Sequence, residues 1–307
     1  MMKQPDDSPA HPADSERTPS KRTRIKKLEV MVAEVVRETP DSATLLLFTG
    51  NDQLEYRPGH FLTIDPHQFP ALERFIEYFE EIKGRREPPR AYSLSSAPHE
   101  SHLAITVKEE YYISGRTQYP PLLSPLLVWR TQPGTKMEVT GFGGPYFLPA
   151  DIESRTDHVV HICAGSGMVP NWSIIKDALA RDLKVRHTLI FGNKTYEDII
   201  FRSHIDELAL RDADRFRVVH ALSREASGSR YGDNFRAGRI DETLIASVIE
   251  DATAVEVFVC GPGINKWDRL VARQQGTKPE PRFLESALVA LENVGVPRER
   301  IHRESYG

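Results

Sequence analysis

The feature that most constrains this 307-residue chain is the rhythm of its second half. After Asp157, near-continuous apolar runs alternate with amphipathic ones: HVVHICAGSG before PNWSIIKDALARD, VRHTLIFGN before YEDIIFRSHIDELAL, RFRVVHALS before DETLIASVIED, and VEVFVCGPG before RFLESALVALENVG. Strands apolar on both faces, each followed by a helical period, predict a parallel sheet covered on both sides, a doubly wound domain of the nucleotide-binding type. No short fixed period recurs, which argues against a solenoid.

The first half has a different grain. Between Leu28 and Pro149 short β-branched or aromatic runs (LEVMVAEVV, ATLLLF, HFLTI, AYSLSS, LAITV, KMEVT) are separated by Pro and Gly, the pattern of an antiparallel barrel or sandwich. One helical segment interrupts it: in 69–87, Leu72, Phe75, Ile76 and Phe79 fall at helical spacing before a turn at Gly84, so an inserted helix with a packing stripe is expected. Residues 1–24 are Pro, Ser and charge with little to bury, and are expected to be disordered; KRTRIKK reads as a solvated lead-in to the first strand. The predicted organisation is a tail at 1–24, a barrel at 25–152 and an α/β domain at 153–307, a length that suits two cores.

Composition narrows the function classes. A formal charge of −4 argues against a nucleic-acid coat, and no apolar run reaches the ~18 residues of a membrane span. Cys163 and Cys260 are the only cysteines, too few for a disulfide framework or an iron–sulfur cluster, so a reducing, cytoplasmic setting is expected. The eleven histidines form neither HExxH nor a His/Cys cluster, and no metal site is expected.

CAGSGMVP, at the end of the first strand of the α/β half, is a glycine turn opening a helix. Gly165 and Gly167 allow close backbone approach, the helix start offers free N–H groups around Ser166, and Pro170 suits a first turn, so a pyrophosphate is the natural guest. Sharper motifs fail here. Pro170 replaces the third glycine of the dinucleotide fingerprint, Ala164 and Met168 flank Ser166 where a nucleophile elbow needs Gly, and GNKT lacks the Gly-Lys pair of a P-loop.

RAYSLSSAP offers a guanidinium for a diphosphate, a ring face for an isoalloxazine and a hydroxyl for the region of its N5. Arg90, Tyr92 and Ser93 match R-x-Y-S of the ferredoxin–NADP reductase superfamily, and YRPGHFLTI resembles the Y-x-P-G-Q-F strand that precedes it there. Over residues 28–307 the family's landmarks follow in its order. By that resemblance Ser124 is an FAD diphosphate contact, although Pro120 and Pro121 stand where the family carries a glycine pair. GSGMVP is similar to the family's G-x-G-x-x-P pyrophosphate loop, which accounts for Pro170. Ser223 and Arg224 resemble the pair that holds the 2′-phosphate of NADP, with Arg230 as a second cation, so NADPH is expected rather than NADH. CGP, with Cys260 and Gly261, resembles the turn whose Cys faces the nicotinamide, whereas Cys163 is expected to be core.

The resemblance implies an antiparallel FAD-binding barrel followed by an NAD(P)-binding domain, and hydride transfer from nicotinamide to flavin, with electrons leaving singly to a separate ferredoxin, flavodoxin or oxygenase component. The family's own ferredoxin-like domain is expected to be absent, since the chain has too few cysteines for it and stops where its linker would begin. The insertions at 69–87 and 264–282 are candidate contact surfaces. Glu304-Ser305-Tyr306 fits the family's Glu-x-Tyr ending, with Tyr306 gating the nicotinamide and Glu304 beside Ser93 and Cys260; Gly307 is one residue beyond the strict aromatic end. Competing readings are a reductase of free flavin or ferric chelates, and a cofactor-free regulatory or scaffold homologue.

Overall fold

The computed structural model describes residues 26–50, 54–115, 117–228 and 230–306. The expectation of disorder at 1–24 and the question of Gly307 lie outside those residues. The first half holds strands β1 (Lys26–Thr39), β2 (Ser42–Phe48), β3 (Phe61–Ile64), β4 (Arg90–Ser93), β5 (Leu103–Lys108) and β6 (Lys136–Gly143). They form one antiparallel sheet in the order β4-β3-β6-β1-β2-β5, and a bridge between Leu94 and Ile105 joins its two ends. Closure removes free edges. Inward Val30, Val32, Leu45, Leu47, Leu62, Ile64 and Ile105 pack inside it.

The predicted inserted helix is α1 (Glu73–Lys83), ended by Gly84 at φ +60. Leu72, Ile76 and Phe79 are buried in the barrel core as expected, but Phe75 points outward and is 60% exposed. The stripe is therefore narrower than its sequence spacing suggests. A short helix α2 (Ser124–Trp129) connects β5 to β6 and packs Leu127 and Val128 into the barrel core, and α3 (Ile152–Arg155) follows β6 toward the second half.

The second half contains β7 (His158–Ala164), α4 (Met168–Ala180), β8 (Arg186–Asn193), α5 (Arg202–Arg211), β9 (Phe216–Leu222), β10 (Phe235–Ala237), α6 (Glu242–Ala246), β11 (Glu256–Pro262), α7 (Lys266–Gln274), α8 (Phe283–Val294) and β12 (Ile301–Tyr306). The sheet is parallel throughout, ordered β10-β9-β8-β7-β11-β12. Its four central strands are those the alternation predicts; β10 and β12, the edge strands, are not. The predicted helix over YEDIIFRSHIDELAL begins only at Arg202, because Phe201 takes φ +60 and a short 3-10 turn covers Tyr196–Asp198.

β12 is polar, and its placement rests on ion pairing at its start. Glu256, fully buried at the head of β11, accepts from Arg155 (2.8 Å), Arg300 (3.1 Å) and His302 (2.8 Å). That carboxylate ties α3 and the entry to β12 to one point and fixes the register in which Cys260 lies opposite Glu304 and Pro262 opposite Tyr306. Replacing Glu256 by Ala strips these cations of their shared partner, and we expect a loss of about 3 kcal/mol in denaturant unfolding, since breaking a buried pair on one side costs that much. A loss under ~0.5 kcal/mol, the level of an ordinary surface change, contradicts the anchor.

Candidate functional site

β7 lies between β8 and β11, so the chain leaves it toward opposite sides, the place where a doubly wound sheet opens a crevice. The glycine turn sits there. Gly165 has φ +53, and a Cβ on Gly167 would lie 2.0 Å from the Cys260 carbonyl oxygen, so only glycine admits this approach. Gly261 is constrained likewise: its Cβ would meet the Phe283 ring at 2.4 Å. Pro170 is buried in the first turn of α4.

A buried polar chain braces the turn from below. Asn171 Nδ2 donates to the Gly167 carbonyl (2.9 Å), and its Oδ1 accepts from the Tyr146 hydroxyl (3.0 Å) and from His161 Nδ1 (2.8 Å). With Nδ1 as donor, His161 Nε2 accepts from His187 Nδ1 at 3.0 Å. Burial lowers His161 to about 4, so this brace is uncharged near neutrality.

The residues expected to carry chemistry come together from both halves of the chain. The Tyr306 hydroxyl donates to Ser93 Oγ (2.6 Å), and Ser93 Oγ donates to Glu304 Oε1 (3.4 Å). Cys260 is fully buried beside Glu304, and burial pushes its thiol well up. Burial also raises the Tyr306 phenol well above its ordinary value, while its ring keeps an exposed edge on the cleft. Glu304 Oε2 is buried and has no partner, and burial, partly offset by the Ser93 hydroxyl, pushes this carboxyl up to about 7.

Ser93, Glu304 and Tyr306 line a cavity of about 590 Å³ between barrel and sheet, together with Arg90, Tyr92, Ser124 and Ser166; Cys260, expected to face the nicotinamide, is fully buried and is not among the lining residues. Tyr92 also packs against the barrel core. Arg90 is not a free guanidinium: it donates to Glu87 (2.5 Å) and to the Pro88 carbonyl. Glu87 is 1% exposed and also takes Lys83 (2.5 Å); burial works to raise its carboxyl, but the two cations outweigh this and hold it low. The inserted helix thus aims Arg90, a role sequence reasoning missed although Lys83, Glu87 and Arg90 have ion-pair spacing. The Ser124 hydroxyl accepts from the Glu110 amide (3.0 Å).

A second cavity of about 480 Å³ shares Lys108, Ser166 and Pro262 with the first. Gly165, Ser223 and Arg224 line it as expected. Ser223 is fixed by its amide (2.9 Å) and hydroxyl (3.2 Å) on the Asn193 carbonyl. Arg230 lies elsewhere: it pairs with Glu225 (2.6 Å) and the Tyr231 hydroxyl, and is not among the lining residues. Lys194 and Arg239, which the sequence did not single out, line the cavity instead. Among the described residues, no group of three or more His, Cys, Asp or Glu could hold a metal ion.

Residues 161–265 match the family model of the oxidoreductase NAD-binding domain. Over 288 residues the chain is 30% identical to the ferredoxin reductase component of 3-ketosteroid-9-alpha-monooxygenase from Mycolicibacterium smegmatis, covering 91% of this chain and 65% of that protein. The chain thus spans just under two thirds of that relative's length. It is 33% identical over 135 residues to NADH-cytochrome b5 reductase 2 of Mycosarcoma maydis, covering 43% of this chain and 36% of the relative. Among solved structures, the flavohem-like FAD/NAD-binding domain of nitric oxide dioxygenase from Vibrio cholerae superposes with a TM-score of 0.65 at 21% identity, covering 91% of this chain and 98% of that one, a likeness of fold.

The Glu304 environment has a consequence for stability that needs no ligand. The folded chain holds this proton up to about pH 7 whereas the unfolded chain releases it near 4.5, so the folded form binds more protons between those values and loses stability as pH rises through them. In thermal unfolding from pH 5 to 8, Glu304→Gln should gain on the native protein as pH rises. Parallel curves for the two proteins would show that Glu304 is an ordinary carboxylate.

Proposed function

We propose that this chain, whose residues 161–265 match the oxidoreductase NAD-binding domain, is a flavoprotein reductase of the ferredoxin reductase-like kind, passing electrons from a reduced pyridine nucleotide through FAD to a separate one-electron carrier. The observation that carries this reading is the Tyr306–Ser93–Glu304 contact, which joins sheet to barrel in the larger cavity. In this reading residues 25–152 hold FAD and residues 153–307 hold the nucleotide.

The fit is supported by the donor set. Arg90, held rigid by Glu87, faces the larger cavity with Tyr92 and Ser124, a cation, a ring and a hydroxyl suited to a flavin nucleotide. The glycine turn at Gly165–Gly167 presents a helix start to the smaller cavity, suited to a pyrophosphate. FAD, when bound, supplies two-electron uptake and one-electron release.

The protein's own part is positioning and proton placement. Ser93, fixed between Tyr306 and Glu304, holds a hydroxyl where the flavin ring would lie. Glu304, with a carboxyl near pH 7 balance and one oxygen unpartnered, can hold or release a proton at Ser93. Tyr306 covers the cleft and keeps water out until a nicotinamide takes its place, and Cys260 packs in the core behind it.

The relative named as the ferredoxin reductase component of a monooxygenase supports a ferredoxin, a flavodoxin or an oxygenase component as the acceptor. Ser223 and Arg224 support NADPH over NADH, and the free, buried cysteines suit a reducing, cytoplasmic setting. Anaerobic addition of NADPH to the FAD-loaded protein should bleach the visible flavin band, and adding a ferredoxin should restore it. Glu304→Gln should keep FAD bound yet slow bleaching by roughly 10²-fold, the usual reach of a proton-handling group. A protein that binds no FAD, or whose FAD neither nucleotide reduces, would sink the reading.

A further inference from the structure

The outer face of α1 has no role in either cavity and no partner in the fold. Phe75, Tyr78 and Ile82 are 60%, 58% and 49% exposed. At about 100° per residue they fall within about 60° of arc, beside the stripe of Leu72, Ile76 and Phe79 that enters the barrel core. Single exposed apolar side chains are ordinary on a protein surface, whereas a contiguous row of large ones marks a contact. The spacing i, i+3, i+7 is that of the a, d and next a positions of a heptad, by which one helix packs along another.

The row is mounted on a firm base. Tyr119 packs on Phe79 with ring centres 5.7 Å apart, and the Lys83 ammonium lies 4.4 Å from the Tyr119 ring centre while pairing with Glu87. Glu87 also holds Arg90, so one element carries both the outer face and the hold on a residue of the larger cavity.

Charge decides what fits this face. Arg74 and Glu81 stand on the same edge of the row, one heptad apart; both are exposed, and among the described residues neither has a side-chain hydrogen bond or ion pair. The other edge is taken by the barrel. A partner presenting one sign of charge is attracted by one of the two residues and repelled by the other. A second α1 running antiparallel satisfies both: a two-fold axis near Tyr78 sets Arg74 of one protomer opposite Glu81 of its partner at each end, with Phe75 opposite Ile82 between them.

We propose that α1 is a self-association face, on which two copies of this chain pair through an antiparallel seam of Phe75, Tyr78 and Ile82 closed by Arg74–Glu81 ion pairs. This goes beyond the proposed function and does not depend on it. With 11 residues α1 is about 16 Å long, so the seam covers only part of the ~800 Å² per partner that a standard interface buries, and the pairing is reversible and concentration-dependent.

The test is sedimentation velocity of the full chain over a concentration series. The native protein should pass from monomer to dimer as concentration rises. Tyr78→Glu, which sets two carboxylates at the two-fold axis, should stay monomeric with unchanged thermal unfolding. Arg74→Glu and Glu81→Arg should each weaken the dimer about 10-fold, because the two-fold repeats every repulsion, and the double variant Arg74→Glu/Glu81→Arg should restore it. A native protein that stays monomeric throughout overturns the proposal, as does a dimer untouched by Tyr78→Glu. Weakening in both single variants without restoration in the double overturns the antiparallel seam. A monomeric native protein whose reoxidation by a ferredoxin is slowed by Tyr78→Glu gives the face to the carrier and overturns pairing with a second copy. Failure of the flavin to bleach bears on the proposed function alone and leaves the sedimentation result standing.

Discussion

The contact on which the rest of this structure depends is the buried carboxylate of Glu256 with its three partners, Arg155, Arg300 and His302. β12 has few apolar residues to bury and occupies the sheet edge, so hydrophobic burial alone specifies its register weakly. The ion cluster supplies the missing constraint at one end of the strand. Six residues later the consequence appears at the other end, where Tyr306 reaches Ser93 across the boundary between sheet and barrel. Register, and not proximity in sequence, brings Glu304 beside Cys260.

The two cavities divide the electrostatic work. The larger one is built around groups already neutralised by one another: Arg90 on Glu87, Ser93 on Tyr306, and a Glu304 carboxyl that burial keeps half-protonated near neutrality. Below the glycine turn, Asn171 and the neutral histidines hold the backbone without adding charge. The smaller cavity concentrates positive charge at the ends of β8 to β10. In the proposed function, an anionic ligand is drawn to the far end of the crevice while its reacting end meets the Ser93 and Tyr306 hydroxyls.

Much of this was legible in the chain itself, and the reasons differ by residue. The central strands and α4 announce themselves because burial on both faces leaves no choice of residue. Arg90, Tyr92 and Ser93 stand on one short strand, and Gly165, Gly167 and Pro170 in one turn, so their spacing survives folding. What sequence could not give is burial and pairing between distant segments. Glu87, although at ion-pair spacing from Arg90, and Glu256, which holds Arg300 from 44 residues away, look like ordinary surface charges until the fold buries them. Arg230 and Arg239 stand nine positions apart in one loop region, and only the strand geometry turns one to Glu225 and the other to the cavity. Phe75 shows the opposite limit: helical spacing alone does not say which edge of a stripe the barrel covers.

The central claim is that the terminal strand belongs to the site because Tyr306 and Ser93 bind each other across the two halves of the chain. A double-mutant cycle of Ser93→Ala and Tyr306→Phe, read by denaturant unfolding of the flavin-free protein, measures that contact directly. The account predicts a coupling of about 0.5–1.5 kcal/mol, the worth of one hydrogen bond held in place. Additive effects of the two substitutions would contradict it.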